Sequence, residues 1–513
     1  MVWGIAMKDL FLGIDVGTTG TKASLISDNG EIAGSGYASY ALNYPETGKC
    51  LQDANDWRRA IVVAVNRAAQ KIDRSRVRSV AVSAQGGTLV PTNLKGDPLA
   101  PARSWLDRRA LREARELRTL FGDDEFYSLT GWPIAPNNTC VQILALRHEL
   151  PKLFNETSYF LDTAGFVNFW LSGQPFVDTN VIGITQLYDA ASEKWIPEVL
   201  RLLEIEESQL PQLVSPSHPF GAISATAAQE LGLDLDTTIV AGGHDQYCAA
   251  LGANAFKPGD LLLSTGTAWV TLGVSSSPLD DYQCGFSFGR HLVPGTWGHF
   301  GEVPNGGVCI EWLRRILSDA SESEIYDELA RDAGRGAGGV FFFPDFDGTG
   351  PFAIDASSKG SFIGLELSHD KSHLVRAVME GVAFETAILV RNYEATVNQQ
   401  FGLTVVGGAT RSGSWTYLIA EILGREIEVS NSADTACIGA AILAAVGCGV
   451  FESIETAATH MASKSSSFSP EMQAVEFYRD LSRRYEECAV SLSRAYFQMS
   501  RHADETNDLG DDS

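Results

Sequence analysis

LGIDVGTTGTKASLIS (residues 12–27) and LLLSTGTAWVTLGVS (residues 261–275) are one device written twice, almost half a chain apart. Each begins as an apolar run of strand character, breaks at a Gly-Thr pair (Gly17-Thr18 and Gly266-Thr267) and resumes as a strand. The pattern predicts two β-hairpins with slim turns. Glycine lets backbone N–H groups approach a ligand and threonine adds a hydroxyl, so two such turns facing one another would grip a polyphosphate from both sides. A single Gly-Thr turn more often only reverses the chain. The repetition in register carries the reading, with Asp15 two residues before Gly17 and Ser264 two before Gly266. Only the first copy has a carboxylate there. Beside a phosphate it repels the ligand unless a divalent cation stands between them, so Asp15 is read as a magnesium-side group.

A chain of 513 residues exceeds what one core holds, and 44% hydrophobic residues supply material for two large domains. The repeated hairpins put the boundary, and the cleft, near residues 251–258. With 39 basic and 64 acidic residues the formal charge is -25, which argues against a nucleic-acid partner. Eight cysteines without a Cys-x-x-Cys pair fit reduced, mostly buried thiols and a cytoplasmic protein. Residues 1–12 carry Lys8 and Asp9 and no small-residue cleavage pattern, so they fail as a secretory signal. Residues 437–451, the most apolar later stretch, are too short to cross a bilayer and suit a packed interior helix. From Ser500 onward the chain is polar and acidic, which predicts a frayed tail.

Strand-like and helical runs alternate, giving an α/β class: a helix over 57–72, a strand over 78–83, a strand over 238–242 and a helix over 246–251. That last pair places Asp245 at a strand-to-helix junction, a position that commonly lines a cleft. Further on, helices are expected over 368–390 and 415–423, and strands over 403–408 and 426–430. The turn Gly407-Gly408-Ala409-Thr410-Arg411-Ser412 opens onto a helix, where free N–H groups and missing side chains would admit a base and ribose. In isolation the same turn is an ordinary strand-to-helix connection. The small residues 438–441 are read as tight helix packing.

In this order and spacing, LGIDVGTTGTK (12–22), SWLDRRA (104–110), GGHDQYCAALGA (242–253), LLLSTGTAWV (261–270), VVGGATRSGSWTYLIAEILG (405–424) and CIGAAILAA (437–445) make the chain resemble the FGGY carbohydrate kinase family. The resemblance covers roughly residues 10–485. It implies two duplicated actin-like, ribonuclease-H-like ATPase domains, here 8–250 and 251–490, followed by an acidic tail, 491–513. It also implies ATP and Mg2+, a small-molecule sugar as acceptor, no membrane, and a possible homodimer.

By the same resemblance Asp245 is the base that accepts a proton from the attacking sugar hydroxyl, and Asp15 helps to hold magnesium. Thr18, Thr19 and Lys22 lie along the first phosphate hairpin and Gly266 and Thr267 along the second; Gly408, Ala409 and Ser412 match the adenosine-side turn. Read from the residues alone, Asp245 is equally an N-cap and Lys22 a solvated strand-end lysine. On the acceptor side stand Gln85, Gly86 and Gly87 in the segment SAQGGT, Gln246 beside the base, and Trp105, Asp107 and Arg109, with Asn137 and Asn138 further out. On a strand Asp107 and Arg109 share a face, either as an ion pair or toward substrate. Glycerol kinases have an Arg-Glu pair and xylulokinases a Met-His pair where this chain has Gly86-Gly87. Two glycines either enlarge the pocket or leave another loop to supply the missing hydrogen bonds. A ketopentose such as D-xylulose is the expected acceptor, with another ketose, a polyol or glycerol as alternatives. A different class of reading keeps the fold as a nucleotide-binding sensor or regulated ATPase; Asp245 speaks against it, since a sensor needs no acid-base group there.

Overall fold

The computed structural model describes residues 9–279, 281–317, 323–346 and 358–508; residues 1–8 of the N-terminal stretch and 509–513 of the tail lie outside them. The elements that position the site are two mixed sheets. The first is built from β1 (Leu10–Val16), β2 (Gly20–Ser27), β3 (Ile32–Ser39), β4 (Val77–Ala84), β5 (Pro219–Ala222) and β6 (Thr238–His244), in the order β5-β6-β4-β1-β2-β3. The second contains β7 (Asp260–Thr265), β8 (Trp269–Ser275), β9 (Ser287–Arg290), β10 (Trp297–Val303), β11 (Gly402–Gly407), β12 (Ile427–Ser430) and β13 (Ser465–Phe468), in the order β9-β10-β8-β7-β11-β12-β13.

Both predicted hairpins are present. β1 pairs antiparallel with β2, Val16 opposite Thr21, and β7 with β8, Thr265 opposite Trp269. The duplication extends well beyond them. The run β6-β4-β1-β2-β3 and the run β12-β11-β7-β8-β10 show the same succession of parallel and antiparallel neighbours. The expected doubled α/β architecture is therefore the one observed.

Alternation along β1 decides what each face meets. Leu10, Leu12, Ile14 and Val16 join the core that includes Trp57 and Ile61 of α1 (Ala54–Ala68), a helix capped by the Asp53 carboxylate on Asn55 N–H. Phe11 faces the other way, into a core shared with Leu262 and Leu272 of the second sheet. Two helices fill that space: α2 (Asp245–Gly252), which follows β6, and α6 (Thr435–Gly447), which follows the corresponding strand β12. The other labelled helices are α3 (Gly307–Ile316), α4 (Lys371–Val397), α5 (Gly413–Leu423) and α7 (Met472–Asp508). No helix among the described residues is long and apolar enough to cross a membrane.

Helices α2 and α6 touch backbone to backbone. A Cβ on Gly252 would lie 1.9 Å from Thr435 O, one on Gly439 1.9 Å from Cys248 O, and one on Gly13 of β1 1.9 Å from Cys437 O. The small residues over 438–441 thus serve packing, as expected, and α6 is buried from Cys437 to Ala445. One expectation fails: α7 runs to Asp508, eight residues beyond the Ser500 at which a frayed tail was expected. Helix propagation adds one hydrogen bond per residue once a turn is nucleated, so a polar stretch can extend a helix whose earlier turns, at Tyr478 and Tyr485, are buried.

These contacts predict a sharp contrast between glycines. Gly439→Ala should destabilise the protein by an amount at or above the upper end of about 1–3 kcal/mol, because the backbone it meets cannot move aside. Gly413→Ala, at the start of α5 with nothing within 4 Å, should be tolerated. Thermal unfolding of the two variants checks this.

Candidate active site

Three parallel strands end side by side. Asp15 of β1 is opposite Ser83 of β4, Ser83 is opposite Gly243 of β6, and Ala84 is opposite His244. With neighbouring strands about 4.8 Å apart, their C-terminal ends present Asp15, the Gln85–Gly86 turn and Asp245 on one edge. The Asp15 carboxylate accepts a hydrogen bond from Ser83 Oγ at 2.8 Å. Burial and the nearby negative charge of Asp245 nevertheless push it up to about 7, against the pull of Ser83 and Lys22.

Asp245 opens α2, and its side chain is 24% exposed. Its Oδ1 atom is buried and receives no hydrogen bond from any described residue. His244 Nδ1 lies 3.0 Å from that oxygen. The same nitrogen accepts the Gln246 N–H at 3.2 Å, so it presents a lone pair and not a proton to the carboxylate. Gln85 Oε1 and Gln246 Oε1 are also buried without a donor. The edge thus collects three orphaned oxygen acceptors.

The loops around them are tied to the first hairpin. Gln85 N–H donates to Val16 O at 2.9 Å, and Gln85 Nε2 to Gln52 Oε1 at 2.9 Å and Thr163 Oγ1 at 3.4 Å. Gln52 Nε2 in turn donates to Thr18 O at 2.8 Å, and Trp105 Nε1 to Thr18 Oγ1 at 3.0 Å. Gln52 and Thr163 escaped the sequence reading, which had no way to see that they pair with Gln85. Thr19 sits exposed at the turn, its carbonyl held by Tyr40 N–H at 3.0 Å.

Gly86 does not enlarge the pocket. A Cβ there would lie 2.6 Å from Ile184 Cγ2 and 2.8 Å from His244 Cδ2, so neighbours from two other segments already fill the volume. Gly87 has a φ of +77°, the left-handed conformation that glycine adopts without strain.

Of the two readings of Asp107, ion pair or substrate contact, the structure shows the ion pair. Its side chain is fully buried, accepting from Cys50 N–H at 2.9 Å and from Arg109 Nε and Nη2 at 2.8 and 2.6 Å. The segment is a turn and not a strand, so the pair forms by the chain folding back on itself. Asn137 Nδ2 holds Trp105 O at 2.8 Å, and Asn138 Oδ1 accepts from Ala135 N–H at 2.6 Å; both serve the loop.

Lys22 has partners the sequence did not reveal. Its Nζ pairs with Asp434 at 2.9 Å and donates to Ala433 O at 2.8 Å, just before α6. Burial works against the charge on Asp434, yet Lys22 and the hydroxyls of Ser35 and Ser24 hold that carboxyl below its usual range. The first hairpin is thereby tethered to the second half of the chain.

In that half, Thr265 of β7 is opposite Gly407 of β11. Its Oγ1 donates to Val406 O at 2.6 Å and accepts from Ala409 N–H at 3.1 Å, joining the second hairpin to the glycine turn. Gly266 and Thr267 are exposed, and their carbonyls accept from Gly307 and Val308 N–H of α3, both at 3.1 Å. Gly408 lies beside Thr265 O, Ala409 is buried, and Ser412 caps α5 through Trp415 N–H while donating to Asp327.

Among the described residues no three His, Cys, Asp or Glu side chains gather as a metal cage. Magnesium does not need one: it keeps several waters and takes one or two carboxylates together with substrate phosphates. Asp15, half-buried, hard in its chemistry and repelled by Asp245, fits such a partial site.

Family-profile comparison matches residues 10–252 to the FGGY family of carbohydrate kinases, N-terminal domain, and residues 261–448 to its C-terminal domain. A gluconokinase of Bacillus subtilis is 26% identical, over 96% of this chain and 98% of its own length. A xylulose kinase of Staphylococcus epidermidis is 27% identical over 94% and 96%. Among solved structures, xylulose kinase from Rhodospirillum rubrum superposes with a TM-score of 0.85 at 25% identity, covering 95% of this chain and all of that one.

The raised Asp15 carboxyl sets a pH dependence. The unfolded chain ionises this group near 3.8 and the folded protein near 7, so the folded state binds the extra proton and loses stability as pH rises through that window. Asp15→Asn should therefore raise the melting temperature of the nucleotide-free protein at about pH 8 and change it little at about pH 4. Differential scanning calorimetry at both values checks the sign.

Proposed function

The chain belongs to the FGGY family of carbohydrate kinases, and we propose that it transfers the γ-phosphate of MgATP to a hydroxyl of a neutral polyhydroxylated sugar, a ketopentose such as D-xylulose. The observation that carries this reading is the single edge on which Asp15, the Gln85 turn and Asp245 stand together with three buried acceptors that no described residue satisfies. Hydroxyl groups are the donors such atoms require.

The charge around the edge favours a neutral acceptor over a sugar acid. Asp15 and Asp245 already repel one another, while Lys22 and Arg109 are engaged with Asp434 and Asp107. A carboxylate substrate would add a third negative group without a free cation from those two residues. Gluconate is thus disfavoured on the same physical ground that raises Asp15.

In this reading Asp245 takes the proton of the attacking hydroxyl, a general-base contribution of roughly 10² to 10⁴ in rate. The slim turns at Gly17–Thr19 and Gly266–Thr267 offer backbone N–H groups and hydroxyls to the phosphates, and Gly408 and Ala409 leave room for the nucleoside. Asp15 would hold magnesium, which neutralises charge on the phosphates when bound. Lys22 would reach the γ-phosphate by exchanging Asp434 for it.

ADP release should be measured with D-xylulose, other ketoses, polyols, glycerol and gluconate. A neutral ketose is expected to give the highest kcat/KM; preference for gluconate would contradict the charge argument, and no acceleration by any of them would remove the kinase reading. Asp245→Asn should lower sugar-dependent kcat by about 10² or more, with calorimetric ATP binding retained. Unchanged turnover would exclude Asp245 as the base.

A further inference from the structure

We propose that His244 is a sugar-binding residue of this enzyme, its imidazole standing in for the side chain that residue 86 lacks and donating an Nε2–H hydrogen bond to an acceptor hydroxyl. The inference deepens the sugar-kinase reading and rests on it.

Three independent observations converge on the ring. First, it occupies the volume that a side chain at position 86 would claim: from the site of a Cβ on Gly86, His244 Cδ2 is 2.8 Å away and Nε2 3.1 Å. The glycine and the histidine are therefore one coupled feature, although far apart in the chain. Second, the tautomer is set by the backbone. Nδ1 accepts the Gln246 N–H at 3.2 Å, so the proton of the neutral imidazole lies on Nε2, and no described residue accepts from that atom. Third, the ring is held in place. Tyr247 and Phe300 pack edge-on against it at centroid distances of 5.9 and 6.0 Å, and the backbone N–H of His244 donates to Asn180 Oδ1 at 2.9 Å.

The result is a donor among acceptors. Gln85 Oε1, Asp245 Oδ1 and Gln246 Oε1 are acceptors without a donor, whereas His244 Nε2 has a proton to give, and a hydroxyl can both donate and accept. A polyol chain bound at this edge thus meets complementary groups in a fixed order, and the hydroxyl opposite His244 must have a lone pair directed to it. That is a specificity element at the end of β6, one residue before Asp245 opens α2.

The test compares wild type, His244→Ala, His244→Gln, Gly86→Ala and the double variant Gly86→Ala/His244→Ala with the best neutral sugar. Loss of one neutral hydrogen bond predicts a rise in KM for the sugar of about three- to tenfold in His244→Ala, with KM for ATP shifting less than about twofold. His244→Gln, which keeps an N–H donor, should recover part of the loss. Gly86→Ala meets both the ring and Ile184 Cγ2, so it should cost activity in the wild-type background and cost less, though still something, in His244→Ala, where only the Ile184 contact remains; that partial non-additivity marks the volume shared with the ring. Across a series of monodeoxy sugars, one analogue should be handled equally by wild type and His244→Ala. An unchanged sugar KM in His244→Ala, or fully additive costs of the two substitutions, overturns the proposal while leaving the kinase reading intact. A wild type that phosphorylates no neutral sugar overturns both.

Discussion

Everything at the cleft depends on a contact between two peptide backbones. Gly252 and Gly439 let α2 and α6 cross with Thr435 O and Cys248 O where side chains would otherwise stand, and Gly13 lets β1 lie against Cys437 O. Each helix follows the corresponding strand of its own sheet, so the close crossing joins the halves of a duplicated fold. It also places the start of α2, which is Asp245, and the approach to α6, which holds Asp434, within electrostatic reach of Asp15. Separating the helices by the width of a methyl group would move the base relative to the phosphate hairpins.

Burial then gives the site its chemistry. A carboxylate in water would titrate near 3.8, but Asp15 is half-buried and lies near the charge of Asp245, so its own charge is costly until a cation arrives. The same enclosure leaves the acceptor oxygens of Gln85, Asp245 and Gln246 without donors. Such groups are tolerated in a folded protein where a ligand completes them. Phosphoryl transfer makes modest demands on covalent chemistry and large ones on position and charge, and this edge supplies both.

Much of this was legible in the residues. Apolar runs broken at two Gly-Thr pairs identified the hairpins, and Gly-Gly-His-Asp after an apolar run identified the junction that carries Asp245, because strand and turn signals are local. The small residues of α6 announced close packing. What escaped the reading depends on partners distant in sequence. Lys22 meets Asp434, and Gln52 meets Gln85, across intervening strands and helices, at separations that no spacing rule encodes. Asp107 and Arg109 form the ion pair that was one of two readings of their spacing, but the bond from Cys50 N–H to Asp107 could not be read from the sequence. Gly86 read either as a larger pocket or as a gap filled from another loop, and only the fold shows that Ile184 and His244 occupy the space.

The most direct measurement is a crystal structure with magnesium, a non-hydrolysable ATP analogue and a neutral sugar. The account predicts the terminal phosphate between the Gly17–Thr19 and Gly266–Thr267 turns, the metal on the Asp15 side, and one sugar hydroxyl about 2.6–3.2 Å from the Asp245 carboxylate. Nucleotide bound away from both turns, or a sugar with no hydroxyl in hydrogen-bond reach of Asp245 in the closed protein, would contradict it.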